Sequence, residues 1–63
     1  MRRIRADRIT PGTILHNGHL SPLHVEEVGE NSLGSIILRC SHTPGTYPAT
    51  TLLLPPDELV ATL

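Results

Sequence analysis

Two histidines, His16 and His19, flank an Asn17-Gly18 pair, and further along Cys40 and His42 stand two residues apart. Imidazole nitrogen and thiolate sulfur are zinc ligands, and one cysteine with three histidines is a set compatible with a tetrahedral site. Asn-Gly between apolar runs is the strongest short hairpin signal, because both central positions of a type I′ turn need positive φ. A turn centred on Asn17-Gly18 would set His16 and His19 opposite each other, with Cβ atoms about 5 Å apart on one face. Cys40 and His42 share a face if their strand persists. In a simple meander the first and third loops lie at the same end, so these four side chains would gather at one pole and zinc becomes a possible stabilising cofactor. The same residues have a plain structural reading, with Cys40 a small buried hydrophobe, the histidines at loop edges and His24 on an outward strand position.

Catalytic patterns are weaker. A Cys40/His42 dyad needs a third group to orient the imidazole, and the spacing supplies none. The acids come as adjacent pairs, Glu26-Glu27 and Asp57-Glu58, whose side chains diverge on a strand or tight turn. No glycine-rich phosphate loop or nucleophile elbow is present. A non-enzymatic protein is expected.

Charge is unevenly placed. The chain has net charge −1, yet Arg2, Arg3, Arg5 and Arg8 face only Asp7 in the first eight residues, while the remainder sets Arg39 against Glu26, Glu27, Glu30, Asp57 and Glu58. The arginines could contact phosphates of a nucleic acid, although interleaved aromatics that would stack on bases are missing. Alternatively they protect an edge strand from pairing. The only aromatic residue, Tyr47, lies in the long loop Ser41 to Thr50 ahead of Pro48. It is expected to lid one end of the fold or, if exposed, to touch a partner.

These residues must be positioned by strands. Turn signals at Pro11-Gly12, Asn17-Gly18, Gly29 to Gly34, Pro44-Gly45 and Pro55-Pro56 recur roughly every eight to twelve residues, the rhythm of an all-β sandwich or barrel. Strands are expected near Ile4 to Ala6, Thr13 to His16, His19 to Val28, Ser35 to Cys40, Thr50 to Leu54 and Val60 to Leu63. Period-two alternation places Ile36, Leu38, Cys40, Leu52 and Leu54 inward, and Ile37, Arg39, Thr51 and Leu53 outward. In Leu23 to Val28 the inward series Leu23, Val25 continues at Val28, so a β-bulge at Glu26-Glu27 is predicted. Outward Ile37 and Leu53 are then candidates for a partner or dimer surface. Residues 1–8 read as a basic arm or edge strand, and residues 9–63 as the barrel.

At 63 residues, with fifteen Ile or Leu and no Phe or Trp, the core must be aliphatic and small. Such a domain buries only about 60% of the surface its unfolded chain exposes, and it usually needs a disulfide, a metal or a partner subunit. Cys40 is the single cysteine, which leaves a metal or, preferably, self-association. The apolar runs Ile36 to Leu38 and Leu52 to Leu54 are far short of the about 20 residues of a spanning helix. Met1 to Ile9 has no apolar run behind its charges, so no secretory signal is expected. A lone thiol fits a reducing, cytoplasmic setting.

The C-terminal "LLLPPDELVATL" runs from a strand through Pro55-Pro56 and a tight turn into a short closing strand, and this resembles the last strand, 3-10 turn and closing strand of a Src-homology-3-like barrel. The opening "ITPGTIL", a hairpin and "LHVEEVG" resemble KOW-type barrels of translation proteins such as the N-terminal domain of elongation factor P. The resemblance covers Ile9 to Leu59 and rests on strand rhythm. It implies a five- to six-stranded barrel, a 3-10 turn before the last strand, and binding without catalysis to protein, peptide, nucleic acid or ribosome-associated machinery. The chain lacks the aromatic groove that docks polyproline segments, and its barrel body carries only Arg39 as a cation. The expected function is thus an interaction module that binds a protein partner or itself through Ile37, Leu53 and Tyr47. An accessory role of the kind filled by small phage proteins acting on a host factor suits this size. Nucleic-acid or ribosome association through the arginine arm is the alternative.

Overall fold

The computed structural model describes residues 2–43 and 50–63. Its elements in chain order are β1 (Arg2–Arg5), a 3-10 turn (Ala6–Arg8), β2 (Ile14–Leu15), β3 (Leu23–Glu30), β4 (Ile36–Ser41), β5 (Thr50–Leu54) and β6 (Leu59–Thr62). All strand pairs are antiparallel in one sheet of order β1-β6-β2-β3-β4-β5. The all-β expectation therefore holds. The closed barrel does not: β1 and β5 end the sheet without pairing to each other, and it curls into a half-barrel.

The curl follows from chain length. In a flat sheet, β5 and β6 would lie four strand spacings apart, about 19 Å. Only residues 55–58 join them, and Glu58 N–H donates to Pro55 O at 3.2 Å, a turn whose ends lie within about 7 Å. One residue on either side adds about 3.8 Å each, so this connection reaches only about 15 Å. The sheet must bend to bring the end of β5 to the start of β6.

The 3-10 turn also differs from expectation. It lies at Ala6–Arg8, directly after β1, and the Pro55-Pro56 segment before the last strand is a tight turn. Neither proline can donate a backbone hydrogen bond, and their segment instead accepts: Ala6 N–H donates to Glu58 O (2.8 Å) and Asp7 N–H to Pro56 O (3.0 Å). That docking turns Ala6 off the expected strand and buries it completely. Ala6 and Ile9 thus join the core with Leu15, Leu23, Val25, Ile36, Leu38 and Cys40, and half-buried Ile4, Leu52, Leu54 and Val60 pack against it.

Alternation along β4 and β5 is as the sequence predicts: Ile36, Leu38 and Cys40 are buried, Arg39 and Leu53 exposed. The predicted bulge is present. Val25 pairs with Cys40 and Glu27 with Arg39, so Glu26 is the extra residue. Beyond it Val28 pairs with inward Leu38, but it remains partly exposed.

Candidate functional site

The expected histidine pair is not formed. Leu15 pairs with Leu23, a register that would place Pro22, not His19, opposite His16. Pro22 has no N–H to give to a ladder, so β3 begins after it and residues 16–22 form a long loop. His16 is drawn the other way, its N–H donating to Ala61 O of β6 (3.0 Å). Within the loop Leu20 N–H donates to Asn17 O (3.0 Å), and Gly18 has φ +60° while Asn17 and His19 have no positive φ. The turn is centred on Gly18-His19, with glycine at the first central position as in a type II′ turn, rather than on Asn17-Gly18. Asn17 Nδ2 closes the loop by donating to Ser21 O (3.2 Å).

At the other end of the proposed ligand set, Cys40 is wholly buried on the inner face, whereas His42 is exposed beyond the end of β4. No group of three or more His, Cys, Asp or Glu is placed to hold a metal among the described residues. Burial, with the Glu26 carboxylate as a smaller contributor, pushes the Cys40 thiol above its ordinary range, the opposite of what a nucleophile or metal ligand needs. Nearby, Ser41 Oγ lies 2.8 Å from both Glu26 Oε1 and Thr43 O. The hydroxyl thereby anchors the bulge residue to the end of β4.

On the opposite, outward face the candidate partner residues come together. Ile37 and Leu53 are direct cross-strand partners on β4 and β5, and Leu53 is 61% exposed while Ile37 is half-buried. Ile37 faces Gly29 on its other side. With no side chain there, a shallow open concavity of about 220 Å³ forms, lined by Glu27, Val28, Gly29, Glu30, Ile37 and Arg39. One row along, Glu27, Arg39 and Thr51 continue the face, and Arg39 Nη1 pairs with Glu27 Oε2 at 3.7 Å. Both partners are exposed, so the pair contributes only about 0–1 kcal/mol. Covering an aliphatic side chain fully is worth about 1.5–3 kcal/mol, so Ile37 and Leu53 dominate what this face can offer a partner. Tyr47, the third expected contact, lies outside the described residues.

The arginines lie along β1 and the turn that follows. β1 pairs with β6 and forms one end of the sheet. Arg5 forks onto Asp7, with Nε–Oδ1 at 3.2 Å and Nη2–Oδ2 at 3.0 Å, and this bonding raises its pKa further. Arg2, Arg3 and Arg8 are exposed and have no side-chain partner among the described residues.

Other exposed leucines escaped the sequence reading, above all Leu33, 88% exposed at the β3–β4 turn. Asn31 Oδ1 accepts from both Leu33 N–H and Ser35 N–H at 3.0 Å, which holds that turn. The Asn-x-x-Gly pattern was its available signal. The Glu27–Arg39 pair was also readable, since a bulge at Glu26 turns Glu27 outward beside Arg39. Comparison with protein-family models, curated proteins and solved structures gives no match for the chain.

Proposed function

We propose that the protein is a non-enzymatic β-sheet interaction module that binds a protein partner through the outward face of β4 and β5 and also associates with its own copies. The observation that carries this reading is the direct opposition of Ile37 and Leu53 beside the concavity left by Gly29. A partner side chain entering that concavity meets an apolar wall at Ile37 and a charged rim at Glu27 and Arg39. The buried, protonated Cys40 and the dispersed histidines support binding rather than catalysis. A meander from β2 to β5, with β6 returning beside β2 through a short proline turn, supports a Src-homology-3-like reading of the half-barrel. An accessory role in the cytoplasm, such as a small phage protein acting on a host factor, belongs to the same proposal.

The test is capture of partners on immobilised protein, wild type against Ile37→Asp, with the variant's strand content checked by circular dichroism. A folded variant is expected to lose the captured protein, whereas Arg2→Ala/Arg3→Ala retains it. Equal capture by wild type and Ile37→Asp would sink the reading.

A second reading is favoured by Arg2, Arg3 and Arg8, which have no side-chain partner among the described residues: a nucleic acid or ribosomal RNA contacted through the arm that also includes Arg5. It requires binding to a labelled oligonucleotide that weakens steeply with added salt, and loss of that binding in Arg2→Ala/Arg3→Ala.

A further inference from the structure

The two ends of the sheet are built differently. β1 presents Arg2, Arg3 and Arg5 around one aliphatic residue, the arrangement that keeps an edge strand from pairing with another chain. β5 reads Thr50-Thr51-Leu52-Leu53-Leu54, without a charge or proline, and it pairs only with β4 among the described residues. Among the described residues it is an edge without the charges or prolines that usually block pairing with another chain. Leu52 and Leu54 on its inner side are only half-buried, although they pack on the core.

Three edge pairings between copies are available. β1 against β1 opposes arginines. β1 against β5 sets arginines beside apolar residues and leaves a free edge at each end, an open-ended contact that propagates. β5 against β5 opposes no charge and closes on itself.

We propose that β5 pairs antiparallel with β5 of a second copy about a two-fold axis through Leu52, forming a C2 dimer with one continuous sheet. In this register Thr50 faces Leu54, Thr51 faces Leu53, and Leu52 faces Leu52 of the partner. On the inner side the row Leu38–Leu52 continues into the same row of the second copy. On the outer side Ile37–Leu53 runs on into Thr51 and Arg39 of the second copy, so two copies of the partner-binding face lie side by side. Pro55, which has no N–H, ends the pairing at Leu54. The inference rests on the proposed function in naming a second copy as an occupant of the β4–β5 side, but it uses the strand edge rather than the Ile37 concavity.

Five paired residues and their flanks bury less than the roughly 800 Å² per partner of a standard stable interface, which would be nearly a fifth of the 4289 Å² surface. The dimer is therefore expected to dissociate on dilution, with a Kd on the order of micromolar to tens of micromolar.

Sedimentation of the whole chain over a concentration series, with amide hydrogen exchange at each concentration, tests the proposal. Wild type should move from the 6.9 kDa chain mass to twice that value as concentration rises, with protection appearing at Thr50 to Leu54. Thr51→Lys places an exposed lysine on this edge. It should weaken the dimer about tenfold or more while leaving the circular dichroism spectrum unchanged. A monomer up to about 0.5 mM, concentration-dependent protection at Arg2 to Arg5 instead, or a dimer indifferent to Thr51→Lys would each overturn it. Partner capture lost in Ile37→Asp at unchanged mass separates the proposed function from this dimer.

Discussion

Cys40 is wholly buried against an aliphatic core, and the Glu26 carboxylate also acts on it. Both effects favour the neutral thiol, burial more than charge. Below the ordinary thiol pKa of about 8.5, folded and unfolded chains are both protonated and the thiol costs nothing. As pH rises past that value the unfolded chain ionises first, so stability falls until the pH exceeds the raised folded value. Urea midpoints should hold steady from about pH 6 to 8 and decline above about pH 8.5, and Cys40→Ala should flatten the decline. An equal decline in the variant would place its origin elsewhere. Burial also ranks the leucines. Leu38 is fully buried and Leu33 is 88% exposed, so Leu38→Ala should cost about 2–5 kcal/mol and Leu33→Ala less than about 0.5 kcal/mol. The first loss is comparable to the whole stability of so small a domain, so Leu38→Ala should give little folded protein by circular dichroism.

Turns decide where the strands of this fold begin and end. Gly18 at φ +60° takes a conformation that an L side chain adopts only at a cost of about 1–2 kcal/mol. Asn17 contributes one exposed hydrogen bond to Ser21 O, worth about 0.5 kcal/mol at the low end of the usual range. Gly18→Ala should therefore lower the urea midpoint more than Asn17→Ala, and the reverse order would return the turn to Asn17-Gly18. The same elements show what the sequence made legible. Ile36 to Cys40 and Thr50 to Leu54 alternate over a full strand, so their faces, and with them the Ile37–Leu53 pair, could be read directly. The bulge was equally visible because a slip of one residue flips every following side chain. The histidine pole was not, since Asn-Gly is a local signal that was overridden by one nearby fact and one distant one: Pro22 cannot join a ladder, and His16 is claimed by Ala61 of β6. The position of the 3-10 turn was hidden similarly, because it depends on Ala6 and Asp7 meeting carbonyls some fifty residues away in sequence.

At the scale of the molecule, a curled but unclosed sheet packs its aliphatic core against Ala6 and Ile9 from the segment after β1, and that segment docks by hydrogen bonds onto the tight turn before β6. Among the described residues, Leu52 and Leu54 of β5 stay half-buried and Leu53 exposed. Net charge of only −1 offers little long-range repulsion between copies. Pairing across that edge would complete the burial of Leu52 and Leu54, and folding would then be linked to association by mass action. A tenfold change in concentration corresponds to about 1.4 kcal/mol per dimer, or half of that per chain. Domains of this size shift in Tm by about 4–8 °C per kcal/mol, so wild-type Tm should rise by about 3–6 °C for each tenfold increase above the Kd. Thr51→Lys should show its rise only from concentrations about tenfold or more higher, in step with its weakened dimer. A wild-type Tm independent of concentration across the micromolar to millimolar range would mean that the half-barrel is stable with its β5 side open, and that the exposed edge is no part of what holds this fold together.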